Sequence, residues 1–227
     1  MEFKTIRYAV AALLCCTQAV FAGVEIGGSR VVYDGNLKQA SISINNPDDK
    51  PYLIQSWVNQ QLNSDDNDDT FIATPPLFRL EPHSQNSIRI MYTGKPLPQD
   101  KESVLWLNIK SIPSTRRDAQ NQLLITVKNK MKLFYRPAGL SGDPASAYQK
   151  IVFRQRHGQL YAFNPTPYSI SFYDIHVNGS AVNKPGMVLP QQELPLQHGV
   201  APGARVSWRA INDFGGITAP QDIKMSP

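Results

Sequence analysis

Cysteine is nearly missing from this 227-residue chain, and its two copies, Cys15 and Cys16, both fall in an apolar stretch near the N-terminus. Lys4 and Arg7 precede that stretch, Ala9 to Val20 fill it, and Val20-Phe21-Ala22 offers a cleavage site before Gly23. Residues 1–22 therefore read as a secretory signal peptide, with an apolar run too short to cross a bilayer. The exported remainder has no cysteine. That excludes a disulfide framework, a thiolate nucleophile and a thiolate metal site, so stability has to come from a hydrophobic core. No later apolar run is long enough to insert in a membrane.

Other signals are equally thin. The net charge is only +5, and the basic residues are scattered instead of lining one face with aromatics, which argues against nucleic acid. His83, His157, His176 and His198 lie far apart, with no His, Cys or Glu at a metal-site spacing. A Gly-x-Ser-x-Gly elbow is missing, and Gly27-Gly28 does not continue into a phosphate loop. The acidic run Asp65-Asp66-Asn67-Asp68-Asp69 has Thr70 and Pro76 where a calcium loop needs Gly and Glu, so it reads as a solvated hairpin loop. Nothing here points to catalysis, a metal or a cofactor.

Helical periodicity is missing too, and short apolar runs with turn punctuation take its place. Val31–Tyr33, Ala40–Ile44, Tyr52–Val58, Phe71–Ala73, Leu77–Leu80, Ser87–Tyr92 and Val104–Ile112 read as strands, stopped by Gly, Pro and Asn. After Pro137–Pro144, which reads as a hinge, come Ile151–Arg154, Gln159–Phe163, Ser169–Val177, Gly186–Leu189 and Arg205–Ile211. The expectation is an all-β chain of two sandwiches, residues 23–141 and a smaller 142–227.

Leu123 to Pro137 stands out as one long strand. Leu123, Ile125, Val127, Met131, Leu133 and Tyr135 alternate with Lys128, Lys130 and Lys132. Alternation alone fits two readings: a strand that buries its row in its own core, or an edge that is lent to another protein.

Seven stretches, in order, resemble the periplasmic pilus chaperones of Gram-negative bacteria. They are Arg30–Tyr33, Asn46-Pro47 with Pro51–Trp57, Thr74–Arg79, Pro98–Ser103, Lys132–Pro137, Asn164–Tyr168 and Ile211–Gly215. The resemblance implies two immunoglobulin-like sandwich domains set in an L with a cleft between them. It implies a periplasmic chaperone that caps pilus (fimbrial) subunits by donor-strand complementation and delivers them to an outer-membrane usher. Such subunits are incomplete sandwiches with an exposed groove.

On this resemblance Leu123, Ile125 and Val127 are the donor row, and Leu124 and Thr126 form an inward row. Arg30 and Lys132 hold the subunit's terminal carboxylate, which fixes the register of the added strand. Glu102, Arg136 and Asp213 form an interdomain ionic cluster with a structural role. The short loop from Ser114 to Gln122 resembles the short F–G loop branch. The alternative is a structural pilus subunit or adhesin on a sandwich fold, which the absence of cysteine after residue 22 argues against.

Overall fold

The computed structural model describes residues 23–64, 66–115 and 123–225. The signal-peptide reading, Asp65 of the acidic run and most of the 114–122 loop lie outside them. Nine strands build the first half: β1 (Glu25–Ile26), β2 (Arg30–Asp34), β3 (Ala40–Asn46), β4 (Tyr52–Asn59), β5 (Phe71–Thr74), β6 (Leu77–Leu80), β7 (Ser84–Tyr92), β8 (Ser103–Pro113) and β9 (Val127–Arg136). They form a sheet of order β1-β3-β7-β5 and a second of order β2-β9-β8-β4-β6. The longer strands each bury one row. In β4, Ile54, Ser56 and Val58 face inward, meeting Ile42, Ile44, Ile88 and Ile90 from the other sheet and Leu105, Leu107 and Ile109 from β8.

The second half contains β10 (Val152–Arg156), β11 (Gln159–Phe163), β12 (Ile170–Val177), β13 (Ser180–Ala181), β14 (Met187–Val188), β15 (Glu193–Pro195), β16 (Arg205–Ala210) and β17 (Gln221–Lys224). A β10-β11-β15 sheet packs against a β13-β12-β16-β17 sheet, with β14 paired to β12. Its core is separate, built on Leu160, Phe172, Ile175, Val206 and Trp208. The indole N–H of Trp208 is satisfied by Tyr148 O at 2.9 Å.

Both halves use a buried asparagine to tie a turn to its neighbour. Asn46 Nδ2 donates to Lys50 O at 2.9 Å and to Glu81 O at 2.8 Å. Asn164 Nδ2 donates to Tyr168 O at 2.6 Å, while its Oδ1 accepts from Thr166 N and Oγ1 at 3.0 and 2.7 Å. The Asn-Pro motifs are thus turn fasteners, because a buried polar group must find partners.

Three expectations are corrected. The acidic run does not close a hairpin: it joins β4 to β5, which belong to different sheets. The long strand begins at Val127, not Leu123. In the β8–β9 register Ser111 meets Val127, and the next positions would bring Ile112 and Pro113 beside Thr126 and Ile125. Proline has no N–H to offer the ladder, which stops there. Finally, Leu124 and Thr126 form no inward row, since Leu124 is 45% exposed and Thr126 is exposed as well. Among the described residues no strand pairs with them on either side, so they have no sheet face to bury.

Candidate functional site

Strand β9 lies second from the edge of the larger sheet, antiparallel to β8 and parallel to β2. The β8 ladder reaches Val127, whereas the β2 ladder reaches only Lys132, where Arg30 is its partner. Arg30 and Lys132 therefore sit side by side, about 4.8 Å apart across the sheet. Both address the second domain. Arg30 Nη1 donates to Ile211 O at 3.1 Å, and Lys132 Nζ donates to Ser171 Oγ at 2.9 Å.

The electrostatics of this pair are unusual. Among the described residues neither cation has a carboxylate within ion-pair distance, and Arg30 Nε is buried without a hydrogen-bond partner. Burial, then the charge of Arg30, lowers the Lys132 ammonium from 10.5 to about 8. Burial lowers Arg30 as well, and Asp213 partly offsets it. Two half-buried like charges held against their own repulsion form a geometry that suits one carboxylate.

Beyond this pair the same face of β9 carries Arg136. Its guanidinium donates through Nε to Glu102 at 2.7 Å and, in fork geometry, to Asp213 at 2.7 and 3.0 Å. Glu102 Oε2 accepts from Ser169 N at 2.7 Å, and the Glu102 N–H reaches Pro167 O at 2.9 Å. The Tyr168 ring lies 5.3 Å from the guanidinium carbon. Glu102 has a side chain only 2% exposed and Asp213 one 40% exposed. Burial raises the Glu102 carboxyl, countered by Arg136; burial also opposes charge on Arg136, but Asp213 and Glu102 outweigh it and raise its pKa. The structure thus brings Glu102, Arg136 and Asp213 together across the domain joint.

The third group projects elsewhere. Leu123, Ile125 and Val127 are 86%, 65% and 50% exposed, and none joins either core. They share parity with Met131, Leu133 and Tyr135, which are fully within the first core. One row of side chains therefore runs from the interior out into solvent.

Sequence reasoning missed Ser171, the Ile211 carbonyl, Ser169 and Tyr168. The first two act as cross-domain acceptors, and no spacing announces a contact between residues so far apart in the chain. Tyr168 and Ile211 did have a signal, at the end of the Asn164–Tyr168 motif and the start of the Ile211–Gly215 motif, but neither motif shows the contact.

Comparison with known proteins adds a further finding. The family described as "Pili and flagellar-assembly chaperone, PapD N-terminal domain" matches residues 23–141, and "Pili assembly chaperone PapD, C-terminal domain" matches residues 146–222. The chain is 41% identical over 213 residues to the probable fimbrial chaperone LpfB of Escherichia coli O157:H7, covering 91% of each. It is 38% identical over 202 residues to the chaperone protein FimC of Escherichia coli K12, covering 87% of this chain and 82% of that one. Among solved structures, the Salmonella enterica SafA pilin in complex with the SafB chaperone matches with a TM-score of 0.81 and 29% identity, over 92% of this chain and 99% of that one.

Proposed function

Since this chain belongs to the pilus assembly chaperone family, we propose that it captures pilus subunits in the periplasm by lending them the Leu123–Val127 edge and passes them to an outer-membrane usher. The role is binding, not catalysis. The observation that carries this reading is the uncovered apolar row Leu123, Ile125 and Val127 leading into β9, in parity with the core residues Met131, Leu133 and Tyr135 and interrupted only by Asn129. Leu123, Ile125 and Val127 enter the subunit's groove, while the backbone of the same segment supplies ladder hydrogen bonds.

The anchor sets direction as well as register. A strand added along β9 on the β2 side runs in line with β2 until it meets Arg30. If it ends there on its terminal carboxylate, it runs parallel to β9. Arg30 and Lys132 then hold that carboxylate, and a slip of one residue would turn every side chain to the wrong face. Glu102, Arg136 and Asp213 keep the two domains at the angle that lets Ser171 and Ile211 orient the anchor.

Two tests follow from the anchor. Arg30→Ala or Lys132→Ala leaves the chain folded but weakens subunit capture by roughly 10- to 150-fold, the loss of one charge-assisted hydrogen-bonding partner. Copurification of subunits from the periplasm, with mass spectrometry, reads this directly. Normal recovery from both variants would remove the anchor assignment.

The second test is pH. With Lys132 at about 8 against an ordinary 10.5, the folded state binds fewer protons than the unfolded chain between those values, and stability rises with pH through that window. A bound carboxylate favours the ammonium and raises its pKa, so binding takes up a proton above pH 8. Affinity for a peptide with a free C-terminal carboxylate therefore falls above that pH, by up to about tenfold per unit. Calorimetry with the same peptide ending in a carboxamide provides the control, which shows no such slope.

A further inference from the structure

The turn from Ile211 to Gly216 carries the largest anomaly of exposure in the described residues. Phe214 is 96% exposed, more than any other large hydrophobic residue. Its backbone is firmly held. Phe214 N and Gly216 N donate to Asn212 Oδ1 at 3.0 and 2.8 Å, Asn212 N donates to Gly216 O at 2.8 Å, and Gly215 N to Asn212 O at 3.0 Å. Asp213, the preceding residue, is fixed by the fork of Arg136. Gly215 has φ of +84°, and a Cβ added there would lie 2.7 Å from Ser29 Oγ. The turn is thus pressed against the residue that precedes Arg30.

A ring held out in water on a rigid turn gains nothing for the free chain. It fits an interface anchor in one respect: it is a large aromatic side chain on backbone that is already ordered, so that only its rotamer is left to fix on binding. Its surroundings include the proposed anchor. Phe214 borders an interdomain cavity of about 300 Å³ whose wall includes Arg30, Phe134, Ile170 and Ile211. A strand that ends at Arg30 arrives beside Ser29 and so beside this turn.

We propose that Phe214 is a specificity contact for the last side chain of the captured subunit, favouring chain ends in which the residue bearing the terminal carboxylate is apolar. This rests on the anchor reading above. Arg30 and Lys132 take the carboxylate, and the ring covers the side chain next to it. Covering that contact also keeps water from the ion pair, which strengthens it.

The test uses two synthetic peptides with one alternating strand sequence and a free carboxylate, ending in Phe or in Gly. Binding to the purified chain is followed by fluorescence anisotropy. The wild type prefers the Phe-ended peptide by about tenfold, the scale of a modest apolar contact. Phe214→Ala reduces that preference to within about twofold without changing the melting temperature, as befits so exposed a side chain. Arg30→Ala weakens both peptides alike. A preference that survives Phe214→Ala, while Arg30→Ala still weakens both peptides, overturns the proposal and leaves the anchor intact. A clear fall in the melting temperature of Phe214→Ala also overturns it, making the residue structural. If Arg30→Ala leaves both peptides bound, the anchor reading fails and takes this inference with it.

Discussion

Replacing Ile125 by aspartate is expected to abolish recovery of a bound pilus subunit while moving the chain's own melting temperature by no more than about 2 °C. The contrast comes from where the side chain lies. In the free chain Ile125 is 65% exposed and belongs to neither core, so a carboxylate there stays in water. In the complex it would enter an apolar groove. Losing the isoleucine contact forfeits roughly 2 kcal/mol, and an unpaired buried charge adds several more. Together these weaken capture by more than about a thousandfold. Leu124→Asp is the parity control, because in an added strand its side chain would point to the face away from the groove, and it is expected to spare capture. Copurification and a thermal melt of each variant decide the matter. A large fall in melting temperature for Ile125→Asp would place that residue in the protein's own core.

The second large effect is on stability. Arg136→Ala leaves Glu102, with its side chain 2% exposed, buried beside no cation. Breaking a buried pair in this way costs about 3–5 kcal/mol, and for a chain of this size the melting temperature drops by on the order of 10 °C. Asp213→Ala behaves differently. With 40% of its side chain in solvent, that carboxylate is screened, and its loss is expected to cost no more than about 1 kcal/mol. Calorimetric melts of the two variants give the ranking. Equal losses would mean that the joint is held by the whole cluster and not chiefly by the Glu102–Arg136 pair.

Much of the fold was legible because turn residues and period-two runs are local signals. Tyr52–Val58 reads as a strand with Leu53, Gln55 and Trp57 on one side and Ile54, Ser56 and Val58 on the other, and the structure buries the second side. The two-residue strands β1, β13 and β14 are hard to read for the opposite reason: so short a run has no period, and only β14 fell within an expected stretch, Gly186–Leu189. The path of the acidic segment between sheets was illegible too, since charge marks exposure but not which strand comes next. The start of β9 depended on a partner's proline, a fact that lies in the register and not in the segment itself. Arg30 and Lys132 became a pair only once family resemblance joined residues from opposite ends of the first domain. Their cross-domain acceptors are visible only in three dimensions.

The row shared by Leu123, Ile125, Val127, Met131, Leu133 and Tyr135 has a further consequence, for divergence among related chaperones. At Met131, Leu133 and Tyr135 a change of shape disturbs a packed interior and is opposed by the fold itself. At Leu123 and Ile125 the same change meets only solvent in the free chain. On the proposed donor role, drift at the exposed end is judged by cargo alone. A lineage can retune which subunits it carries there, side chain by side chain, while the scaffold a few residues along stays as it was.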